Sequence, residues 1–241
     1  MRMKRRRAPT DPIERVNRLP DEEFIARYLQ PSSEWVTEWK HPRTNALYDV
    51  SLLRSEKLSE SDLTACFDLI EETSRKDYEN STTKWQPSKK LKEMRSPDLR
   101  YILVKDAADT DGSSLRGFTS LMPTYEYGQA VIYCYEIHLK PELRGTGLGQ
   151  LLMSFLTTVA SNIGKPITKV MLTCFVANQK GLEFYKKLGF DKDEISPGPR
   201  KLRHNKVFTP DYVIMSKTAV PQLNTENNST ADGVQSRGGG K

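Results

Sequence analysis

Apolar residues recur along this chain in two periods, and the alternation between them predicts its elements. From Leu47 to Leu53 a weak two-residue alternation suggests a first strand. Behind the N-cap candidates Ser59-Glu60-Ser61-Asp62, Leu63, Cys66, Phe67 and Ile70 fall at i, i+3, i+4 and i+7, which predicts a helix to about Tyr78. Tyr101 to Lys105 and Arg116 to Met122 read as a hairpin around the polar turn DAADTDGSS, and Val131 to Leu139 as a third antiparallel strand. Strict alternation in that strand puts Ile132, Cys134, Glu136 and His138 on one side and Tyr133, Tyr135, Ile137 and Leu139 on the other. Leu148, Leu151, Leu152, Phe155, Leu156 and Val159 return to helical spacing. Lys169 to Val176 is a continuous apolar run, hence a strand buried on both faces. Gln179 to Leu188 makes a further helix, closed by Gly189 and Phe190 in a Schellman-type ending, and Asp211 to Ser216 a last strand.

An antiparallel meander followed by a strand–helix–strand crossover is an α/β fold, with a mixed antiparallel and parallel central sheet and helices on both faces. Such a sheet is expected to splay where parallel pairing begins, exposing strand amides. The polar stretch from 79 to 98, with Trp85 alone in its middle, reads as a connector in which the indole is a packing anchor. Residues 21–217 are expected to form one domain whose start, around Phe24, Ile25, Tyr28, Leu29, Trp35 and Trp39, is a helical extension broken at Pro31 and packed on the main body. Residues 1–20 are expected to be a disordered basic arm and 218–241 a disordered tail.

Charge changes this picture only at the arm. The net charge is +6, yet residues 1–20 carry seven Lys/Arg against two acids, so the remainder is almost neutral. The cluster MKRRR reads either as a nuclear localisation signal or as a solvated arm. A near-neutral body offers no basic stripe, so nucleic acid is expected to bind weakly if at all. No apolar run is long enough to span a bilayer, and no apolar segment follows the basic start, so neither a membrane partner nor a secretory signal is expected. Cys66, Cys134 and Cys174 are scattered through apolar segments, as reduced core thiols of an intracellular protein would be, and no metal site is expected.

The chemistry gathers between residues 131 and 160. A strand bearing the carboxylate of Glu136 runs into the turn Arg144-Gly145-Thr146-Gly147-Leu148-Gly149 and then into a helix. Backbone amides in a glycine turn at a helix N-terminus suit an anionic phosphate, and a strand carboxylate beside it is a candidate base. Partial burial is expected to raise the pKa of Glu136; the competing reading makes it the ion-pair partner of a Lys or Arg near the core. The turn is neither a dinucleotide-binding G-x-G-x-x-G, because Gln150 stands at the sixth position from Gly145, nor a Walker A loop.

Arg144-x-x-Gly147-x-Gly149 between a strand and an apolar helix resembles the pyrophosphate loop Q/R-x-x-G-x-G/A of the GNAT superfamily of N-acetyltransferases. NQKGLEFYKKLGF, with Asn178 and Tyr185, resembles that superfamily's closing motif. YCYE at 133–136, KVMLT at 169–173 and the helix ACFDLIEETSRKDYE resemble its histone-specific N-terminal acetyltransferases, over about residues 60–217. The resemblance implies a GNAT fold and acetyl-CoA as donor. It implies direct transfer to the α-amino group of histones 4 and 2A, which begin Ser-Gly-Arg-Gly. It also implies residence in nucleus and cytoplasm, and action without an obligate auxiliary subunit. By the same resemblance Glu136 is the base and Tyr185 the general acid toward the departing thiolate. The backbone of Ile137, His138 and Leu139 holds the pantetheine arm, and Arg144, Gly145, Thr146, Gly147, Leu148, Gly149 and Gln150 hold the pyrophosphate, with Asn178 also on the cofactor. Tyr78, Trp85, Tyr135, Thr173 and Tyr212 match peptide-binding positions. Where those enzymes carry an Asp before the YCYE strand this chain has Thr124, and Glu126 is the nearest acid. Two rival readings stand beside this one: a lysine or small-amine acetyltransferase of the same fold, and a non-catalytic acyl-CoA-binding chromatin module.

Overall fold

The structure, a computed structural model, describes residues 11–109, 115–201, 203 and 207–219. Helices α1 (Pro12–Asn17) and α2 (Asp21–Tyr28) lead into strands β1 (Glu38–Lys40) and β2 (Leu47–Arg54), then α3 (Glu60–Asn80) and α4 (Pro87–Met94). The meander β3 (Arg100–Asp106), β4 (Leu115–Glu126) and β5 (Gln129–Leu139) follows. Next come α5 (Leu148–Ile163), β6 (Lys169–Phe175), α6 (Gln179–Lys187), β7 (Asp191–Lys192), β8 (Arg200–Lys201), β9 (Val207–Phe208) and β10 (Tyr212–Thr218). Eight strands form one sheet in the order β1-β2-β3-β4-β5-β6-β10-β7. Every pairing in it is antiparallel except β5 with β6.

Apolar stripes decide which helix takes which face. Leu148, Leu152, Phe155, Leu156 and Val159 of α5 are buried with Phe24 of α2, Ile13 of α1, and Ile132 and Cys134 of β5. Leu182, Phe184 and Tyr185 of α6 pack on the same core. Leu63, Cys66, Leu69 and Ile70 of α3, with Met94 of α4, cover the opposite face against Tyr101, Leu103 and Phe118. The Schellman ending of α6 is present: the Phe190 N–H donates to the Tyr185 carbonyl and the Gly189 N–H to that of Lys186, with Gly189 at φ +83°. All three cysteines are free and buried. Among the described residues no helix is long and apolar enough to cross a membrane, and no His/Cys/Asp/Glu group is arranged to hold a metal.

Three expectations are corrected. Residues 11–20 are not part of a disordered arm. Asp11 caps α1 by accepting from the Ile13 and Glu14 amides, Ile13 and Val16 are buried, and Asn17 Nδ2 donates to the Pro123 carbonyl. The fully buried Arg100 donates to the carbonyls of Asn17 and Leu19, fixing this extension to the sheet. The polar connector contains α4, started by Pro87 at its first turn, in which only Lys90 and Met94 are buried. At the C-terminal end β10 runs past residue 217, and the Ala219 N–H donates to the Thr168 carbonyl. Residues 1–10 and 220–241 lie outside the described residues.

Candidate acetyl-transfer site

A bulge and a splay shape the site. β5 pairs with β4 through Ser120 opposite Glu136 and then Leu121 opposite Cys134, so Tyr135 is an extra residue on β5. The alternation therefore breaks, correcting the face assignment made from sequence. Ile132 and Cys134 lie in the α5 core, whereas Glu136 meets α4 and His138 meets α3; Ile137 and Leu139 pack toward the α5 side. On its other edge β5 pairs with β6 only from Val131 opposite Lys169 to Cys134 opposite Leu172. Beyond that point the strands separate, and alternate backbone amides of 136–139 face the gap instead of β4.

A cleft of about 290 Å³ occupies the gap. Glu136, Ile137, His138, Asn178 and Tyr185 line it from the sheet and α6, and Tyr78, Tyr135 and Thr173 line it too. Tyr133, Asp77, Lys90 and Glu93 also line it, and none of these four was singled out from sequence. The Tyr133 hydroxyl is 2.6 Å from Thr173 Oγ1, and the Tyr133 and Tyr135 rings are 5.1 Å apart. Tyr78 packs against Phe175 and Trp85. Trp85 itself does not line the cleft: its Nε1 donates to Glu71 and its ring buttresses Tyr78. Tyr212, opposite Phe175 on β10, and Glu126, at the β4–β5 hairpin, stand outside the cleft wall.

Glu136 is the electrostatic centre. Lys90 Nζ donates to its Oε1 at 2.8 Å, and His138 Nε2 lies 2.5 Å from its Oε2, so the imidazole nitrogen facing the carboxylate carries a proton. His138 Nδ1 is 2.6 Å from the Thr73 hydroxyl, which also reaches the Leu69 carbonyl. Burial works to raise the pKa of Glu136, but Lys90 and then His138 outweigh it and hold the carboxyl at about 2. The sequence-based expectation of a raised pKa is thus overturned, because the partner cation sits on a helix that sequence did not reveal. The same pairing keeps Lys90 charged: Glu136, Tyr78 and Glu93 together outweigh its burial. Burial pushes the phenols of Tyr133 and Tyr135 up to about 12, and raises Tyr185 well above the ordinary tyrosine value. Tyr185 consequently keeps its proton and can donate a hydrogen bond into the cleft.

At the far end of β5 the glycine turn makes the second half of the site. Gly145 and Gly147 have φ of +69° and +90°, and a Cβ at either would meet nothing within 4 Å. Backbone conformation, not space, demands glycine there, and the outer surface stays open for a ligand to approach. Gly147 is the N-cap of α5 and has no side chain to cap it; the Leu148 amide reaches Thr146 Oγ1 at a long 3.5 Å, and the amides of Gly149 and Gln150 are left for an anion. Arg144 Nε donates to the Leu139 carbonyl, tying the turn to β5. Gly149 serves packing instead, since a Cβ there would lie 3.3 Å from Phe184. Asn178 caps α6 through Oδ1, accepting from the Gly181 amide at 2.9 Å, and its Nδ2 remains able to donate elsewhere. A diphosphate fits this cradle, and an extended thiol-bearing arm fits the splay that leads from it to Glu136.

An open amide cradle, a splayed parallel pair and a buried carboxylate together define an acyltransferase class of site. Residues 63–190 match the model of the Acetyltransferase (GNAT) family, and the chain belongs to that family. It is 31% identical over 140 residues to N-alpha-acetyltransferase 40 of Saccharomyces cerevisiae, an alignment covering 51% of this chain and 47% of the relative. The chain thus spans about half the length of that curated relative. The structure of NAA60 of Arabidopsis thaliana in complex with acetyl-CoA superposes with a TM-score of 0.50 at 14% identity, covering 70% of this chain and 98% of that one. This second likeness is one of fold.

Proposed function

We propose that this protein transfers acetyl from acetyl-CoA to the α-amino group of a protein N-terminus. The acceptors on this reading are the Ser-Gly-Arg-Gly starts of histones 4 and 2A. The observation that carries it is the pairing of the buried Glu136 carboxylate with Lys90 and His138, which leaves it little affinity for a further proton. A carboxylate at about 2 is a weak base and accomplishes little on an amine that holds its proton tightly. An α-amino group, with a pKa near ~8, is already about one-tenth free base at pH 7, whereas a lysine amine near ~10.4 is free in roughly one molecule in two thousand. A cleft without a strong base therefore suits an N-terminal amine far better than a lysine. The likeness to N-alpha-acetyltransferase 40 supports the same choice.

On this reading the cradle at Arg144 to Gln150 holds the diphosphate, and the amides of Ile137 and Leu139 hold the pantetheine arm and polarise the acetyl carbonyl, while the His138 amide is turned to β4. Glu136 attracts the incoming ammonium and orders the water that removes its proton. The free amine attacks the thioester carbonyl and the carbon–sulfur bond breaks as Tyr185 donates its proton to the departing thiolate; the proton shed by the newly acylated nitrogen leaves through the ordered water to solvent, from which Tyr185 is reprotonated. Tyr78, Tyr133 and Tyr135 narrow the acceptor side to a small first residue, with Asp77 and Glu126 as carboxylates for a cationic third residue. No auxiliary subunit is required by this scheme. The basic residues 2–7 would serve entry into the nucleus from the cytoplasm.

Incubation with acetyl-CoA and a Ser-Gly-Arg-Gly peptide, free or blocked at its α-amine, tests the reading by fragment mass analysis. Acetyl on the first residue of the free peptide and none on the blocked one is expected. Acetyl on lysine of the blocked peptide contradicts it, and acetyl-CoA binding without turnover on either peptide points to a binding module.

A further inference from the structure

Lys90 is a strange residue to find beneath the acceptor cleft. It sits on a short, mostly exposed helix, yet only 8% of its side chain is accessible. Its ammonium bridges Glu93 at 2.6 Å and Glu136 at 2.8 Å, and lies 5.3 Å from the centre of the Tyr78 ring. A cation is costly to bury, and hydrophobic side chains of similar volume usually fill such positions at least as stably. From α4, where Glu93 also holds it, the ammonium reaches β5 through Glu136 and α3 through the Tyr78 ring.

We propose that Lys90 is a positioning residue for acetyl transfer, clamping the Glu136 carboxylate in its charged form at the floor of the cleft and so making turnover depend on the seating of α4. The proposal rests on the acetyl-transfer reading above. His138 alone cannot perform this task. It reaches only the other carboxylate oxygen, and its remaining nitrogen is turned to Thr73, away from the cleft. Apart from these two, the titratable groups facing Glu136 are acidic, as Glu93 on α4, or neutral: the phenols of Tyr78 on α3, Tyr101 on β3 and Tyr185 on α6, and the thiol of Cys134 on β5. Among the described residues Lys90 is therefore the one side chain that brings a permanent positive charge to this carboxylate. Without it burial would act against the charged form with only His138 opposing, and Glu136 would take up a proton at higher pH.

The test compares wild type, Lys90→Met, Lys90→Arg and, as a control on the exposed side of α4, Lys92→Met. Each is assayed for acetyl-CoA binding and for kcat/KM on the free-amine peptide between about pH 6 and 9. Lys90→Met is expected to bind acetyl-CoA as wild type does and to lose at least tenfold in kcat/KM at pH 7. That loss should shrink as pH rises and Glu136 ionises, with Lys90→Arg recovering most of the activity and Lys92→Met unchanged. A Lys90→Met loss that is constant across pH, or no loss at all, overturns the proposal. The carboxyl carbon resonance of Glu136 in the intact wild-type protein gives a reading that needs neither a folded variant nor turnover. Absence of titration down to about pH 4 upholds the clamp, and a titration centred at or above the ordinary glutamate value of ~4.3 overturns it. Wild-type protein that acetylates no peptide would defeat the functional reading while leaving this resonance to decide the clamp.

Discussion

Glu136 and Tyr185 have opposite proton demands, and one buried environment meets both. Burial disfavours the charged form of each; Lys90 and His138 overturn that for the carboxylate, and nothing comparable does so for the phenol. Glu136→Gln should therefore lower kcat/KM roughly 10²-fold without creating a new acid limb, since Glu136 is already ionised throughout the assay range. Tyr185→Phe should lower kcat by a similar factor and leave KM for the peptide unchanged if, as proposed, the phenol acts on the leaving thiolate; steady-state kinetics on the two variants check both. The pairing also couples stability to pH. A carboxyl held at about 2 stabilises the fold fully above its unfolded value of ~4.3. That contribution is lost as pH falls from there toward about 2, so acid unfolding followed by circular dichroism should steepen below pH ~4. It should do so less in Glu136→Gln.

At the scale of elements, the turn and the N-terminal extension carry the sharpest expectations. Gly147→Ala places a Cβ at φ +90°, which costs about 1–2 kcal/mol, and should weaken acetyl-CoA binding about tenfold by calorimetry while the fold survives. Removal of residues 1–10 should leave peptide acetylation intact. Removal of residues 1–19 takes away α1 and the two carbonyls that receive the guanidinium of Arg100, stranding a buried cation. That should cost about 3–5 kcal/mol and lower Tm sharply in a thermal melt. Much of this architecture was legible beforehand. The α5 stripe, the β6 run and the Gly189 stop each carry a periodic or conformational mark in the residues themselves. The bulge at Tyr135 carries none: one extra residue leaves composition unchanged yet turns Glu136 and His138 to the opposite face. α4 was hidden because a helix with two buried positions has almost no apolar stripe, and Lys90 because a lysine reads as solvent-facing until its partners are known.

For the whole molecule, one sheet sets two half-sites at the two ends of a single gap. The β4–β5–β6 region fixes the cradle at the end of β5 and the tyrosine-lined acceptor side near its bulge, and the splay joins them. The family was legible from the spacing of Arg144, Gly147, Gly149, Asn178 and Tyr185, because those positions mark backbone and capping requirements of the fold. The acceptor was less so, since its recognition depends on side chains drawn from α3, α4, β5 and β6 that meet only after folding. The paired carboxylate is too weak a base to strip a lysine ammonium, whereas an N-terminal amine is already partly free near neutral pH and needs little help. The most direct test of this contrast is the rate of acetylation at each amine of one Ser-Gly-Arg-Gly-Lys peptide, followed by mass analysis from about pH 6.5 to 9.5. Acetyl is expected on the α-amine throughout, with kcat/KM rising to a plateau near the pKa of that amine, ~8. Acetyl accumulating first on the lysine would contradict this reading.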